Sequence, residues 1–89
     1  MDAATVRSKV KEIIAKVSNL DPAKIGDGDS YIDDLKLDSL SLLEIGVDVD
    51  FEFKLNLPEE KMRELRSVND TVNLVLARLA EQNQMATVA

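Results

Sequence analysis

With 89 residues, 45% of them hydrophobic and 31% charged, the chain has room for one folded domain with one small core. It contains neither cysteine nor histidine, which excludes disulfides, thiolate metal sites and the Ser-His and Cys-His nucleophile arrangements, so an enzyme is not expected. A net charge of -6 with only one Tyr and two Phe opposes nucleic-acid binding and favours encounter with proteins that carry a basic patch.

In chain order, Val6, Val10, Ile13, Ile14 and Val17 recur at helical spacing and predict an amphipathic helix over residues 2–18. Residues 19–38 carry the loop signals Asp21-Pro22, Gly26 and Gly28, and read as a long ordered loop. Its apolar residues Leu20, Ile25, Tyr31, Ile32, Leu35 and Leu37 predict that it packs onto the domain. Asp38 suits an N-cap, which places Ser39 in the first turn of a second helix running to about Lys54. Leu57-Pro58-Glu59-Glu60 marks a break and a restart with Pro at the first helical position, and Met62 and Leu65 complete a short third helix. Ser67-Val68-Asn69-Asp70 resembles a capping box and opens a last helix whose stripe is Val68, Val72, Val75, Leu76 and Leu79. The sum is an all-α fold, a small four-helix bundle of three longer helices and one short one with a long loop between the first two. One domain is expected over residues 1–89, with residues 83–89 a frayed tail. No apolar stretch approaches the length of a membrane span or signal sequence, so a cytoplasmic monomer without membrane insertion is expected.

The second helix carries two apolar stripes. Leu42, Ile45, Val49 and Phe53 fall on one side and suit a core, whereas Leu40, Leu43, Val47 and Phe51 fall on the opposite side. Ser41, Glu44, Asp48 and Glu52 edge the second stripe, so an apolar patch rimmed by carboxylates begins beside Ser39. A central helix buried on several sides would also carry two stripes, and an Asp before a helix is often only a cap.

The run Asp34-Leu35-Lys36-Leu37-Asp38-Ser39-Leu40 resembles the sequence around the modified serine of acyl carrier proteins, whose core is Asp-Ser-Leu at the start of the second helix. The likeness continues upstream through Ile25 and Ser30-Tyr31-Ile32-Asp33-Asp34-Leu35. Downstream it runs through Glu44, Val49, Asp50, Phe53, Leu57-Pro58-Glu59-Glu60 and Ser67-Val68, covering the chain from about Val6 to Leu79 without a gap. This resemblance, of the free-standing type, implies a carrier whose Ser39 receives a covalent 4'-phosphopantetheine arm from coenzyme A through a phosphopantetheinyl transferase. The arm's thiol then holds acyl intermediates of fatty acid or polyketide-type biosynthesis as thioesters. Asp38 would fix the helix start and assist transferase recognition. Leu40, Leu43 and Val47 would form a docking surface for acyl-transferring and synthase enzymes with basic patches, with Glu44 and Asp48 as its rim. Leu42, Ile45, Gly46 and Leu65 would part to form an acyl pocket.

Three departures from the family pattern stand out. Lys36 replaces a usual Gly, so the turn before Ser39 either needs no positive φ or accepts a small strain. Gly46 replaces a bulkier residue and would enlarge the pocket, and Phe51 stands where acids are usual. Other readings are weaker. Asp27-Gly28-Asp29 begins like a calcium loop, but Tyr31 and Ile32 sit where a ligand and a Gly are required. A carrier of amino acids or D-alanine shares the layout, and an unmodified acidic helical adaptor would use the same apolar face only to bind proteins.

Overall fold

The computed structural model describes residues 2–88, with side chains described for residues 2–82. Four α-helices follow one another: α1 Ala3–Ser18, α2 Ser39–Phe53, α3 Glu59–Arg63 and α4 Val68–Val88, with a 3-10 turn at Pro22–Lys24 in the long connection after α1. The side chains of residues 83–88 and the whole of residue 89 lie outside the described residues, and with them the tail expected from residue 83.

Three of the four helices begin where a side-chain oxygen accepts from a free amide. Asp2 accepts from Thr5 N at 2.8 Å, Asp38 accepts from Ser41 N at 2.8 Å, and Ser67 Oγ accepts from Asp70 N at 3.2 Å. α3 differs from expectation by one residue: Pro58 occupies the N-cap position and Glu59 the first turn. Glu59 and Glu60 then place negative charge beside the amides that Pro58 has no side-chain donor or acceptor to satisfy. α1 and α2 both stop on a left-handed residue, Asn19 with φ 60 and Lys54 with φ 54.

The core sits between α1, α2 and α4. Val6, Val10 and Ile14 meet Ile45, Val49 and Phe53, and Val68, Val72 and Val75 complete the layer. The long connection is part of this core, since Ile25 and Tyr31 are buried in it and Leu35 and Leu37 pack against it. Leu20 and Ile32 do not follow the expected packing: Ile32 is 56% exposed. The turn that sends Tyr31 inward leaves its neighbour Ile32 facing water.

Two sets of bonds hold the connection down. Tyr31 N donates to Arg66 O at 2.9 Å and Val68 N to Asp29 O at 3.1 Å, a short antiparallel bridge that joins the loop to the start of α4. The acids of Asp27-Gly28-Asp29 are likewise spent on structure. Asp27 pairs with Arg7 and Lys11 of α1, and Asp29 accepts from Gly26 N at 2.7 Å.

Tyr31 is fully buried, and its hydroxyl is bonded to that of Thr71, also fully buried. Thr71 Oγ1 donates to Ser67 O at 3.1 Å, so the proton between the two hydroxyls belongs to Tyr31. Thr71→Val therefore strands a phenolic proton in the core and should cost about 1–3 kcal/mol, whereas Tyr31→Phe leaves Thr71 its own partner and should cost about 0.5–1.5 kcal/mol. Urea unfolding should give that order of midpoints, and the reverse order would contradict the donor assignment. Burial is the main cause that raises the Tyr31 phenol above its ordinary value of 10.0. The folded state thus holds this proton more tightly than the unfolded chain, and its contribution to stability is complete below pH 10 and declines as the pH rises further. Tyr31→Phe should remove that part of the alkaline decline.

Candidate functional site

The start of α2 is built from the loop outward. Leu37 N donates to Tyr31 O at 2.8 Å, which carries the anchored part of the loop directly to the helix start. Between them Lys36 adopts φ 57, so the turn does need the left-handed region and a lysine bears it, at an intrinsic cost of about 1–2 kcal/mol. Asp38 is extended at φ -93 and ψ 176, and Ser39 follows as the first helical residue with its side chain exposed. Ser41 N is satisfied by the Asp38 carboxylate, and helix geometry leaves the amides of Ser39 and Leu40 without an intrahelical acceptor. Hydrogen bonding from Ser41 holds the Asp38 carboxyl below its ordinary value of 3.8, so the group is ionised at neutral pH.

The two stripes of α2 separate as the spacing predicts. Ile45 and Val49 are fully buried and Phe53 nearly so, while Leu40 is 73%, Val47 49% and Phe51 83% exposed. Leu43 is half-buried between them. Along the edge, Glu44 is exposed and Asp48 half-buried, and Glu52 reaches across to Lys9 of α1 at 3.1 Å.

Beside Ser39 lies a cavity of about 350 Å³ lined by Ser39, Leu40, Leu42, Leu43 and Arg63. It runs from the start of α2 to the end of α3, with apolar walls and one guanidinium, which Glu59 accepts from at 3.0 Å. A second cavity, of about 380 Å³, lies at the far end of α2 against Asp50, Phe51, Lys54 and Asn56.

Of the four residues expected to form an acyl pocket, Leu42 lines the groove at Ser39, whereas Ile45, Gly46 and Leu65 lie in the closed interior. Gly46 does not enlarge a cavity there. A Cβ placed on it would lie 2.7 Å from Met62 Cβ and 2.9 Å from Met62 Cγ, so Met62 takes the room that the missing side chain leaves. Arg63 escaped the sequence reading because a charged residue on a five-residue helix reads as surface solvation. Its relation to Ser39 exists only once α3 is placed against α2.

The exposed Ser39 hydroxyl at the start of α2 thus lies beside an apolar groove and an acid-rimmed apolar face on a small helical domain. The family model described as a phosphopantetheine attachment site matches residues 8–75. The meromycolate extension acyl carrier protein of Mycobacterium leprae is 36% identical over 80 residues, which cover 90% of this chain and 69% of that protein. The acyl carrier protein of Clostridium acetobutylicum is 38% identical over 76 residues, covering 85% of this chain and 99% of that protein. The solution structure of the apo doublet acyl carrier protein from prodigiosin biosynthesis shares the fold, with a TM-score of 0.76 at 23% identity. The matched part covers 83% of this chain and 36% of that one, so the likeness spans about a third of that longer protein. The chain belongs to the phosphopantetheine-bearing acyl carrier protein family. Members of this family carry acyl groups in fatty acid or related biosynthesis, are not themselves enzymes, and are served by a modifying transferase and by acyl-transferring and synthase enzymes.

The Asp38 cap gives a pH signature. Its folded value lies below that of the unfolded chain, so the bond to Ser41 N contributes above the ordinary carboxylate range and is lost as the pH falls through the folded value. The Ser41 amide resonance should titrate with a midpoint below 3.8. Asp38→Asn, which keeps a capping oxygen, should abolish that titration while leaving the helix start in place. A midpoint at or above 3.8 would contradict the cap as the dominant influence on Asp38.

Proposed function

We propose that Ser39 receives the 4'-phosphopantetheine arm and that the exposed stripe of α2 is the surface on which partner enzymes dock. The observation that carries this reading is the exposed Ser39 hydroxyl at the start of α2, opening directly onto an apolar groove. The residues present fit the group. The free amides and dipole of the first turn favour a phosphodiester on Ser39, and Leu40, Leu42 and Leu43 give an apolar wall along which an arm can lie. When bound, the arm supplies the thiol that holds the cargo.

The chain's own part is placement. Asp38 fixes the helix start and thereby the direction of the Ser39 hydroxyl, and its ionised carboxylate is available to orient the transferase's metal-bound substrate. No base of this chain is needed, because deprotonation of the hydroxyl falls to the transferase. For partner enzymes, Leu40 and Val47 with half-buried Leu43 offer a dry contact, and Glu44 and Asp48 offer charges that a basic patch complements. An acidic domain of net charge -6 is steered to such patches at long range, and a small apolar anchor lets it leave again. The named relatives are acyl carriers, which favours an acyl cargo over an amino acid or D-alanine.

Co-expression with a phosphopantetheinyl transferase followed by intact mass measurement should show the gain of one arm, and Ser39→Ala should abolish it. No gain in the parent chain would instead favour an unmodified adaptor. Glu44→Lys, which replaces a negative steering charge with a positive one, should slow loading by partner enzymes several-fold at low salt, with the difference shrinking as salt screens it. Equal loading rates at low salt would remove Glu44 from the docking rim.

A further inference from the structure

We infer that Arg63 binds the phosphodiester of an arm carried on Ser39 and so fixes the direction in which the arm leaves the helix start. This rests on Ser39 as the attachment point. The phosphorus of such an arm is bonded directly to the Ser39 oxygen, so its place is set by Ser39 whatever cargo the far end carries. Ser39 opens on the cavity of about 350 Å³ whose other described lining residues are Leu40, Leu42, Leu43 and Arg63. A covalent bond therefore brings an anion to a cavity with apolar walls and one guanidinium. The Asp38 carboxylate already caps this helix start, accepting from Ser41 N at 2.8 Å, so the diester arrives beside a negative charge. A cation across the groove offsets that repulsion.

Arg63 has donors to spare for such a ligand. Its Nη2 donates to Glu59 at 3.0 Å, the one hydrogen bond its guanidinium makes among the described residues, which leaves its remaining N–H groups for another acceptor. Both side chains of that pair are more than half exposed, 68% and 61%, and an exposed i,i+4 pair contributes little, so it yields readily to a stronger partner. The unesterified oxygens of a phosphodiester suit the planar fork of arginine better than a lysine ammonium. Lys61, the cation on the other side of buried Met62, does not line the groove and lies 3.7 Å from Glu64 instead. Next to its phosphate a pantetheine arm carries a geminal dimethyl group, which the leucine walls match. Guanidinium and leucines together thus complement the first segment of the arm, anionic and then branched and apolar. Arg63 is a positioning residue: by holding the diester it orients everything attached beyond it.

The test loads the parent chain, Arg63→Gln, Arg63→Lys and Lys61→Gln from unacylated coenzyme A with a transferase, and confirms the added arm by intact mass. It reads the phosphorus resonance of the arm and the side-chain Nε–Hε resonances of the arginines. In the parent chain, loading should shift Arg63 Nε–Hε and leave that of Arg78, which is engaged with the carbonyls of Leu55 and Asn56, where it was. Arg63→Gln should move the phosphorus resonance toward its position in the urea-unfolded loaded chain, and Arg63→Lys, which keeps the charge without the fork, should move it part of the way. Lys61→Gln removes the same charge from the same short helix and should leave the resonance at the parent position. An Arg63 Nε–Hε resonance that loading does not move would overturn the inference, and so would a phosphorus shift in Lys61→Gln as large as that in Arg63→Gln, because bulk charge would then explain both. Intact mass keeps the two readings apart. A parent chain that gains no arm refutes the attachment point and this inference together, whereas an arm gained without any response at Arg63 refutes this inference alone.

Discussion

A Cβ added to Gly46 would lie 2.7 Å from Met62 Cβ, so α2 and α3 meet there with no room for a side chain, and the placement of α3 beside Ser39 depends on that contact. A helix of five residues has little stability of its own, because so short a segment gains few backbone bonds for the entropy it fixes. α3 is therefore held by its packing, and at Gly46 it meets α2 with no room for a side chain between them. Met62 lies between Lys61 and Arg63 in sequence, so seating it inward turns both cations out, and Arg63 comes to line the groove at Ser39. Glycine in the middle of a helix costs about 1 kcal/mol of propensity relative to alanine. Here that cost buys the contact that positions the groove's far wall.

A second anchor acts from the other side. The long connection has no regular structure beyond one 3-10 turn, yet it must deliver Asp38 in an extended conformation at a fixed place. It does so because Tyr31 is held twice, through its amide to Arg66 and through its hydroxyl to Thr71. Leu37 then bonds back to the carbonyl of the same residue. Only one tight turn separates this anchor from the helix cap, and Lys36 supplies it in the left-handed region. The strain at Lys36 is tolerable because the flanking bonds leave the chain no other path.

The helical elements were legible in the sequence because each is announced twice, by a 3.6-residue stripe and by a capping residue. Both stripes of α2 were legible for the same reason: periodicity assigns residues to faces without knowledge of what covers them. Periodicity does not say which face meets a neighbour, and the resemblance to acyl carrier proteins resolved that before the exposures of Leu40 and Phe51 did. What escaped notice depends on contacts between elements. Gly46 read as empty space because a missing side chain is visible in sequence, whereas Met62, sixteen positions later, fills the space only through the placement of α3. Arg63 was hidden similarly, and Ile32 read as core because composition cannot tell which of two adjacent apolar loop residues the turn sends inward. The sign of φ at Lys36 was undetermined, since lysine itself expresses no preference for the left-handed region.

If partners dock on the exposed stripe of α2, as proposed above, its extent also bears on how long they stay. Leu40, Val47 and Phe51 lie on one face of a single helix, so an enzyme that covers them buries the side of one helix and little else. An apolar contact of that extent, set against the orientational cost of association, gives weak binding. The charges around it act differently, since they raise the rate of encounter and are screened by salt, but add little to the lifetime of the complex once the rim is wet. Division of labour between a steering rim and a small dry centre therefore yields fast arrival and fast departure together. A larger apolar face would lengthen each stay and slow delivery. Phe51, at the end of the stripe remote from Ser39, extends the dry centre toward the second cavity at the end of α2. A partner that reaches that far gains contact which partners confined to Leu40, Leu43 and Val47 do not, and this one residue can rank enzymes that the charged rim alone would treat alike.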